Sequence, residues 1–341
     1  MTFLLEDKNS ELLYPHSLTR ASFEVRVGFY TLIDRALRRA GEGDAVILAV
    51  RPEIQGVVSD RYPQCEVVTL DSVDNYTDCE KLDMPIESLW DAIYLNSEMI
   101  CNDFENSEIK DFDGSRLEAC TIYGSKLYVS QSAKVQASII DSSSGPIYID
   151  EGASVGPGAF VKGPVYIGKE SVVSPGARIG GGVSIGPVCK VGGEVQNSIF
   201  QGYSNKQHDG YLGHSFVGQW VNLGANTNVS NLKNNYGNVK VQLESKLIDT
   251  GKMFVGSLFG DHVKTAISTR LNTGTTIGVG ANVFDNEFSS KFIKSFAWGK
   301  SGTTDFDKFI ATAQKVKGRR NRELLESETK LFKSIFISRI K

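Results

Sequence analysis

The sequence of 341 residues has little of what marks secreted, metal-binding or membrane-spanning proteins. Its five cysteines are odd in number and include no C-x-x-C pair, so we expect no disulfide framework, no zinc site and a reducing, cytoplasmic location. The four histidines show no metal-ligand spacing. The longest apolar run, Ala45–Val50, is far shorter than the roughly 20 residues that cross a bilayer. No basic segment opens the chain, so we expect no secretory signal.

An excess of charge of one sign is also missing. The chain has 37 Lys and Arg against 40 Asp and Glu, a net charge of −3, which argues against a general nucleic-acid or membrane-surface binder. Hydrophobic residues make up 40%, enough for a sizeable core. Proline is scarce at 9 residues, whereas glycine reaches 34, and this excess of glycine requires a structural cause.

A strict six-residue period explains the glycines. Eight positions at this spacing are all Val or Ile, and five of the eight residues that follow them are Gly. A period of six fits neither a helix nor one long strand, but it fits a short strand followed by a corner. We expect the branched side chains to point inward and the following residues to take left-handed corner conformations. The eight positions are Ile149, Val155, Val161, Ile167, Val173, Ile179, Ile185 and Val191.

Three such strands make one triangular coil, so the repeat predicts a parallel β-helix in which stacked coils bury a column of Val and Ile. A β-sandwich is the alternative, although sandwich strands usually recur every 8–12 residues. Val129 and Val135 indicate an earlier coil. The period is lost over residues 192–210 and returns at Val217, which predicts a loop that leaves one corner.

The two ends of the chain have a different pattern. We predict a small α/β domain over residues 1–110, the β-helix over 111–302 and helices over 303–341 that cap its open end. Between these C-terminal helices stand Arg319, Arg320 and Arg322, which form either a solvated basic turn or a contact for a cofactor phosphate. The expected N-terminal elements are strands at Thr2–Leu5, Asp44–Val50 and Glu66–Leu70 and helices at Tyr30–Ala40 and Ile86–Ile100.

Polar residues collect where the period breaks. His208 lies in the polar run 202–213, and a second run rich in Asn follows at 221–231. Because function tends to sit on loops that leave a regular scaffold, His208 is the candidate catalytic residue, with an ordinary loop histidine as the alternative. We expect His214 to be a corner or stacking residue, and the role of His262 stays open.

The stretch from His208 to Thr227 resembles the acetyltransferase half of bifunctional N-acetylglucosamine-1-phosphate uridyltransferase, in which a His opens a similar H…YLG…VNIGAGT stretch. The whole chain is more similar to a family of sugar-nucleotidyltransferase-like proteins related to that enzyme. This resemblance implies a left-handed β-helix of hexapeptide repeats, and the hand is taken from it alone. The matching segments are 17–20, 24–28, 145–149, 192–195, 231–236, 260–262 and 295–299.

The resemblance also implies roles for single residues. His208 falls on the catalytic base, Tyr211 and Asn222 on contacts to the amino sugar, and Ala225 and Ser257 on the acetyl-CoA side. The related C-N-Y-D motif aligns either with Ser230-Asn231 or with Asn234-Asn235-Tyr236, which gives a substrate contact at Asn231 and cofactor contacts at Asn235 and Tyr236. The basic ligands of the sugar phosphate map less clearly, and the candidates are Lys190, Lys206 and Lys233.

The N-terminal part departs from the nucleotidyltransferase pattern. Such enzymes carry a G-x-G-T-R loop after the first strand, whose backbone N–H groups hold phosphates. Here the residues from Glu6 to Pro15 contain no glycine, and Leu18-Thr-Arg20 resembles only the end of that loop. The predicted domain is also about half the length that the catalytic domain needs.

The first hypothesis is therefore an acyltransferase that uses acetyl-CoA as cosubstrate and acts on a sugar phosphate or sugar nucleotide. A neutral imidazole at His208 suits a general base, because histidine is the side chain that most often accepts a proton in this type of catalysis. The alternatives are a sugar-1-phosphate nucleotidyltransferase, which would need Mg²⁺, and a non-catalytic scaffold that binds sugar nucleotides. The resemblance implies a homotrimer, and we expect no resident metal, no nucleic-acid partner and no membrane span.

Overall fold

The computed structural model describes residues 1–83, 85–107, 117–284 and 287–340, and its N-terminal part is an α/β layer. Four strands form a parallel sheet in the order β5-β4-β1-β6. Side-chain caps mark the start of two of the helices. Thr31 and Asp34 form a capping box at the start of α1, and the Ser88 hydroxyl accepts a hydrogen bond from the Asp91 N–H at the start of α3. The elements are β1 Thr2–Glu6, β2 Arg26–Val27, β3 Tyr30–Thr31, α1 Leu32–Arg39, β4 Ala45–Val50, α2 Gln55–Arg61, β5 Glu66–Thr69, β6 Glu80–Lys81 and α3 Leu89–Glu105.

A parallel β-helix with three sheets follows, and it confirms the mainly β architecture predicted from the period of six. Ile149 pairs with Ile167, and Ile167 pairs with Ile185, so each regular coil has 18 residues. The predicted boundary at residue 110 falls outside the described residues. The strands are β7 Thr121–Tyr123, β8 Leu127–Val129, β9 Lys134–Val135, β10 Ile139–Asp141, β11 Ile147–Ile149, β12 Ser154–Val155, β13 Phe160–Lys162, β14 Val165–Ile167, β15 Val172–Val173, β16 Arg178–Ile179, β17 Val183–Ile185, β18 Lys190–Val191, β19 Glu194–Gln196, β20 Ile199–Gly202, β21 Asn205–Lys206, β22 Tyr211–Gly213, β23 Phe216–Gln219, β24 Asn228–Val229, β25 Lys240–Leu243, β26 Lys246–Asp249, β27 Leu258–Phe259, β28 Lys264–Thr265, β29 Arg270–Leu271, β30 Thr276–Ile277, β31 Asn282–Val283, β32 Phe292–Ile293, β33 Ala297–Trp298 and β34 Gly302–Thr303.

The three sheets meet at three edges. The first sheet runs from β7 through β10, β13, β16 and β19 to β22. The second sheet runs from β8 to β32, and the third sheet contains β9, β12, β15, β18 and β21 and continues through β28 and β31. All eight repeat positions are buried and belong to one core cluster, with small residues such as Ala153, Ala159 and Ala177 beside them. Each buried Val or Ile contributes about 1.5–3 kcal/mol to this column.

The glycines after the repeat positions have a different reason from the expected one. Left-handed backbone occurs three residues after the inward aliphatic, for example at Gly158 and Glu170, and not at the next residue. At Gly168 a Cβ atom would lie 2.7 Å from the carbonyl oxygen of Ile185 in the next coil. Glycine is therefore needed here because neighbouring coils approach closely, and not because of φ.

The loss of the period after Val191 is a shortened coil and not a loop that leaves the corner, which corrects the prediction. Val191 pairs with Lys206 only 15 residues later, so the strands continue while the corners lose residues. The long excursion comes later, between the coils that hold Val229 and Leu271, which pair across 42 residues. It carries the antiparallel hairpin of β25 and β26.

The N-terminal layer packs on the outward face of the second sheet. Phe29 contacts the rings of Tyr148 and Tyr166, each at a centroid distance of 4.7 Å. Next to them, the Ser184 hydroxyl donates to Asn96 Oδ1 at 2.9 Å, and Asn96 Nδ2 donates to the Gly182 carbonyl oxygen at 2.9 Å. Further along the same face, apolar residues such as Ile199, Phe216 and Leu258 join a core cluster with N-terminal side chains. The second sheet is thus buried on both faces.

A buried ion pair fixes this packing. Arg20 Nη2 lies 3.1 Å from Asp261 Oδ2, and Thr19 Oγ1 donates to the same oxygen at 2.9 Å. Burial alone would raise the pKa of Asp261, but Arg20 and the backbone N–H of Gln219 hold it at about 2. Asp261 therefore stays charged, and removing Arg20 would leave this buried carboxylate without its ion-pair partner. Arg20 itself has a second partner, because its Nη1 lies 3.5 Å from Glu24 Oε1.

The C-terminal helices lie along the edge between the second and third sheets, which corrects the expected cap over the open end. They are α4 Phe306–Gly318 and α5 Glu326–Ile340. Phe309 contacts the rings of His262 and Phe296, and the Arg320 guanidinium donates to Asn205 Oδ1 at 3.1 Å. These contacts join several successive coils, so the helices support this edge along its length.

The inward column generates a test with a matched control. Val173 is fully buried, whereas its neighbour Val172 faces outward beside Lys190. Val173→Asp should destabilise the protein by at least about 4 kcal/mol because it places an unpaired charge in the core. Val172→Asp should cost about 1 kcal/mol or less. Urea unfolding followed by circular dichroism measures both, and equal losses for the two variants would contradict the assigned strand register.

Candidate functional site

His208 lies at the edge between the third and first sheets. Stacked corners build this edge: the Asn226 N–H donates to the Asp209 carbonyl oxygen at 2.9 Å, and the Ser268 N–H donates to the Ala225 carbonyl oxygen at 2.8 Å. His208 and Ala225 therefore occupy neighbouring turns of one edge. Ile267, one coil further on, is 75% exposed, which leaves an apolar side chain at the surface here. We call these residues, 207–210, 224–226 and 266–268, the His208 edge.

His208 differs from the other three histidines in its exposure. Its side chain is exposed, whereas His16 and His262 are each 1% exposed. Burial lowers the pKa of His16 and of His262 to about 3, and that of His214 to about 4, so all three are neutral at pH 7. Of the four, His208 is the most exposed imidazole, since His214 is half-buried.

Lys206 holds the turn that carries His208. It occupies an inward position of the third sheet, paired with Val191, and its ammonium donates to the carbonyl oxygens of Gly192 at 3.0 Å and of His208 at 2.8 Å. Burial lowers its pKa to about 8. The predicted contact between Lys206 and substrate does not fit this placement, because the side chain points into the β-helix and is occupied by main-chain oxygens.

Asn222 lies on the outward face of the third sheet. Isolated β-bridges connect it to Asn205 in the coil before and to Lys264 in the coil after. Its carboxamide oxygen accepts from Asn205 Nδ2 at 3.4 Å, and its side chain is exposed. Asn222 thus lies beside Asn205, which precedes His208 by three residues. It also borders a cavity that Gln207 lines.

Tyr211, Asn231 and His214 form a hydrogen-bonded chain at the edge between the first and second sheets. Asn231 Nδ2 donates to the Tyr211 hydroxyl at 2.9 Å and lies 2.9 Å from His214 Nδ1, which accepts because the imidazole is neutral. His214 also stacks on Phe254 at 5.1 Å, which is the stacking role expected for it. Two of the predicted substrate contacts are therefore held together by side chains from the same edge.

Four other predicted site residues lie at or beyond the edge between the first and second sheets, away from Ala225. They are Ser257, Lys233, Asn235 and Tyr236. Ser257 is fully buried, its N–H donates to Ser215 Oγ at 3.0 Å, and its hydroxyl has no partner among the described residues. Lys233, Asn235 and Tyr236 lie on the excursion, where the Lys233 ammonium donates to the Asn238 carbonyl oxygen. Within one chain, the predicted cofactor contacts thus lie on two edges of the β-helix.

The sequence named Lys190, Arg319 and Arg320 as separate candidates for phosphate contacts, but it did not show that they meet around a basic cavity of about 300 Å³ between the third sheet and the end of α4. Lys190, Lys264, Arg319 and Arg320 line it together with amide side chains that include Asn222. The run of arginines was a visible signal, but Lys264 follows no motif, and its place depends on the position of α4.

Two further classes of site find no support in the described ranges. No three His, Cys, Asp or Glu side chains there are grouped to hold a metal ion, and all five cysteines are free. Nor does any helix in those ranges combine the length and the apolar character of a bilayer span.

Comparisons with known proteins agree with the resemblance. The bifunctional sugar-1-phosphate nucleotidylyltransferase/acetyltransferase of Sulfurisphaera tokodaii is 34% identical over 97 residues, which are 28% of this chain and 24% of that one. The bifunctional protein GlmU of Methanocaldococcus jannaschii is 34% identical over 85 residues, 25% of this chain and 21% of its own. The chain is similar to these bifunctional enzymes over that part of its length. It spans about a quarter of their length, and no family model matches it.

Two solved structures found to be similar are an N-acyltransferase and a hexapeptide transferase family protein. The first is a mutant of AntD, an N-acyltransferase from Bacillus cereus in complex with dTDP and coenzyme A, at 13% identity and a TM-score of 0.21, covering 58% of this chain and 91% of that one. A hexapeptide transferase family protein from Anaplasma phagocytophilum has 15% identity and a TM-score of 0.14, with 65% and 93% covered. At these TM-scores the likeness adds nothing to the strand registers described above.

The buried Lys206 predicts a specific dependence of stability on pH. Its pKa falls from the usual 10.5 in the unfolded chain to about 8 in the folded protein, so between these values the unfolded chain binds more protons. Lys206 should therefore contribute a rise with pH in the free energy of unfolding across this window, which opposes the fall contributed by the buried Cys189, whose pKa is raised to about 12. Lys206→Met should remove that rise. Urea unfolding at about pH 7.5 and about pH 10 measures it for both proteins, and parallel pH dependences would contradict the buried ammonium.

Proposed function

We propose that this protein transfers an acyl group, acetyl in the simplest case, from acyl-CoA to a sugar phosphate or sugar nucleotide, with His208 as the general base. The observation that carries the proposal is the exposed imidazole of His208 on a turn that the buried Lys206 fixes. The similar protein of Sulfurisphaera tokodaii is a bifunctional sugar-1-phosphate nucleotidylyltransferase/acetyltransferase, which supports the reaction class.

The reaction needs one proton acceptor and one site for a developing negative charge. His208 takes the proton of the acceptor amine or hydroxyl as that atom attacks the thioester carbonyl carbon. The tetrahedral intermediate then collapses, the carbon–sulfur bond breaks, and the imidazolium returns the proton to the leaving thiolate. Asn226 and backbone N–H groups of the His208 edge are the candidates to stabilise the oxyanion. No covalent intermediate on the protein is required.

We further propose that the active assembly is a homotrimer in the cytoplasm. The N-terminal layer covers the second sheet, while the predicted acceptor and cofactor contacts lie on two different edges. A ring with closed threefold symmetry places one edge of each chain against the next chain and so can combine residues from both edges. Acetyl-CoA would then lie between chains, with Ala225 on one side.

Light scattering tests this assembly. We expect three times the mass of one chain at micromolar concentration, because the residues of the proposed site are incomplete within a single chain. Ile267→Glu, which places a charge on the exposed apolar residue of the His208 edge, should shift the mass towards that of one chain. A wild-type protein with the mass of one chain would contradict the trimer.

The activity test compares His208→Ala with a control on the same edge. His208→Ala should lower the rate of acyl transfer by roughly 10²–10⁴-fold, the usual contribution of a positioned general base, and leave the affinity for acyl-CoA nearly unchanged. Release of the CoA thiol measures the rate.

Gln136→Ala provides the matched control, because Gln136 is an exposed residue at the same edge four coils away. It should leave the rate unchanged. His214→Ala is a poorer control, since His214 contacts Asn231 and thereby Tyr211. Equal rates for wild type and His208→Ala would remove His208 from the mechanism. Thermal stabilisation by sugar nucleotides without any transfer would favour the scaffold hypothesis instead.

A further inference from the structure

The cavity between the third sheet and the end of α4 concentrates positive charge. Lys190, Lys264 and Arg320 are half-buried in its wall, and Arg319 lies at its mouth. None of the described residues that line it is acidic, and no described carboxylate forms an ion pair with any of these four side chains. Four cations around a cavity of about 300 Å³ repel one another unless an anion joins them.

The side chains are held in place by contacts that leave donors free. Arg320 uses one Nη for Asn205, and the Lys264 ammonium donates to the His262 carbonyl oxygen at 3.2 Å, which leaves further N–H donors on each. Burial lowers the pKa of Lys264, as expected for an ammonium without a counter-charge. Donors of this kind match phosphate oxygens, which accept several charge-assisted hydrogen bonds.

An aromatic column supports the cavity from the edge between the second and third sheets. Tyr203 and Trp220 stack at a centroid distance of 4.5 Å, and both line the cavity. Arg322 lies over Tyr203 at 5.8 Å and Lys317 over Trp220 at 5.7 Å, so two more cations face the same column. The Lys317 ammonium is paired with Glu328, which joins α4 to α5 next to this column.

We infer that this cavity binds the phosphate group of a small-molecule phosphate ester, through Lys190, Lys264, Arg319 and Arg320. Asn222 and Gln207 line the same cavity, and Gln207 is the neighbour of His208. Because Gln207 lines the cavity, a phosphate bound here lies next to the turn that carries the proposed base. The assignment of that ligand to the acyl-transfer reaction rests on the proposed function, whereas the binding of phosphate does not.

Pyrophosphate binding, measured by titration calorimetry on the full chain, tests the cavity directly. Lys264→Gln and Arg320→Gln should each weaken pyrophosphate binding by about tenfold, and the double variant by more, because each removes a charge-assisted donor. Lys134→Gln is the matched control: Lys134 is exposed on the outward face of the same sheet, far from α4, and its variant should bind as wild type does. Binding should weaken as salt is added.

Two pairs of probes then distinguish the source of the phosphate. If the cavity takes the phosphate of the acceptor, glucose 1-phosphate should bind and glucose should not, and Arg320→Gln should weaken the former while CoA binding is unchanged. If the cavity takes the 3′-phosphate of CoA, Arg320→Gln should lower the affinity for CoA to the affinity that the wild type has for dephospho-CoA. Either result supports the inference.

The inference is overturned if the double variant, shown by circular dichroism to be folded, binds pyrophosphate as wild type does, or if wild type binds none at millimolar concentration. His208→Ala should keep full pyrophosphate binding. Loss of transfer in His208→Ala with intact pyrophosphate binding, or intact transfer in a protein that binds no pyrophosphate, therefore separates a failure of this inference from a failure of the proposed function.

Discussion

The inward column of Val and Ile is the constraint on which the other features depend. Because side chains alternate along a strand, burying one residue of each strand fixes which neighbours point outward, and a slip of one residue would exchange them. Stacking at a constant register then places Lys190, Asn205, Asn222 and Lys264 in one outward row of the third sheet. The same stacking brings Asp209 beneath Asn226 at the His208 edge. These outward residues, which are far apart in sequence, are neighbours because the buried column aligns the strands of successive coils.

The other elements determine which parts of this scaffold can meet a ligand. The N-terminal layer buries the outward face of the second sheet and is fixed there by the Arg20–Asp261 pair. The C-terminal helices cover one edge and complete the basic cavity. The His208 edge keeps exposed side chains, and it is where the accessible imidazole lies. The shape of the molecule therefore leaves that edge and the neighbouring face of the third sheet accessible to a ligand.

The sequence predicted the β-helix because its signal is strictly periodic, and it predicted most N-terminal and C-terminal elements within a few residues. It located the left-handed corners two residues too early, since close approach between coils and positive φ both favour glycine. The shortened coil before Lys206 was predicted as a loop, because the residue composition does not show how many residues each corner of the β-helix contains. The basic cavity could not be predicted, since Arg320 and Asn205 meet only through the docking of α4 on an edge 115 residues away in sequence.

The most direct test of the account follows two products from one protein sample. The protein is incubated with acetyl-CoA and a panel of sugar phosphates while the CoA thiol is measured, and separately with nucleoside triphosphates and the same panel while pyrophosphate is measured. Acyl transfer predicts thiol release that depends on one of the sugar phosphates, with equimolar acylated sugar. Release of pyrophosphate without acceptor-dependent thiol would contradict it and assign the reaction to nucleotidyl transfer.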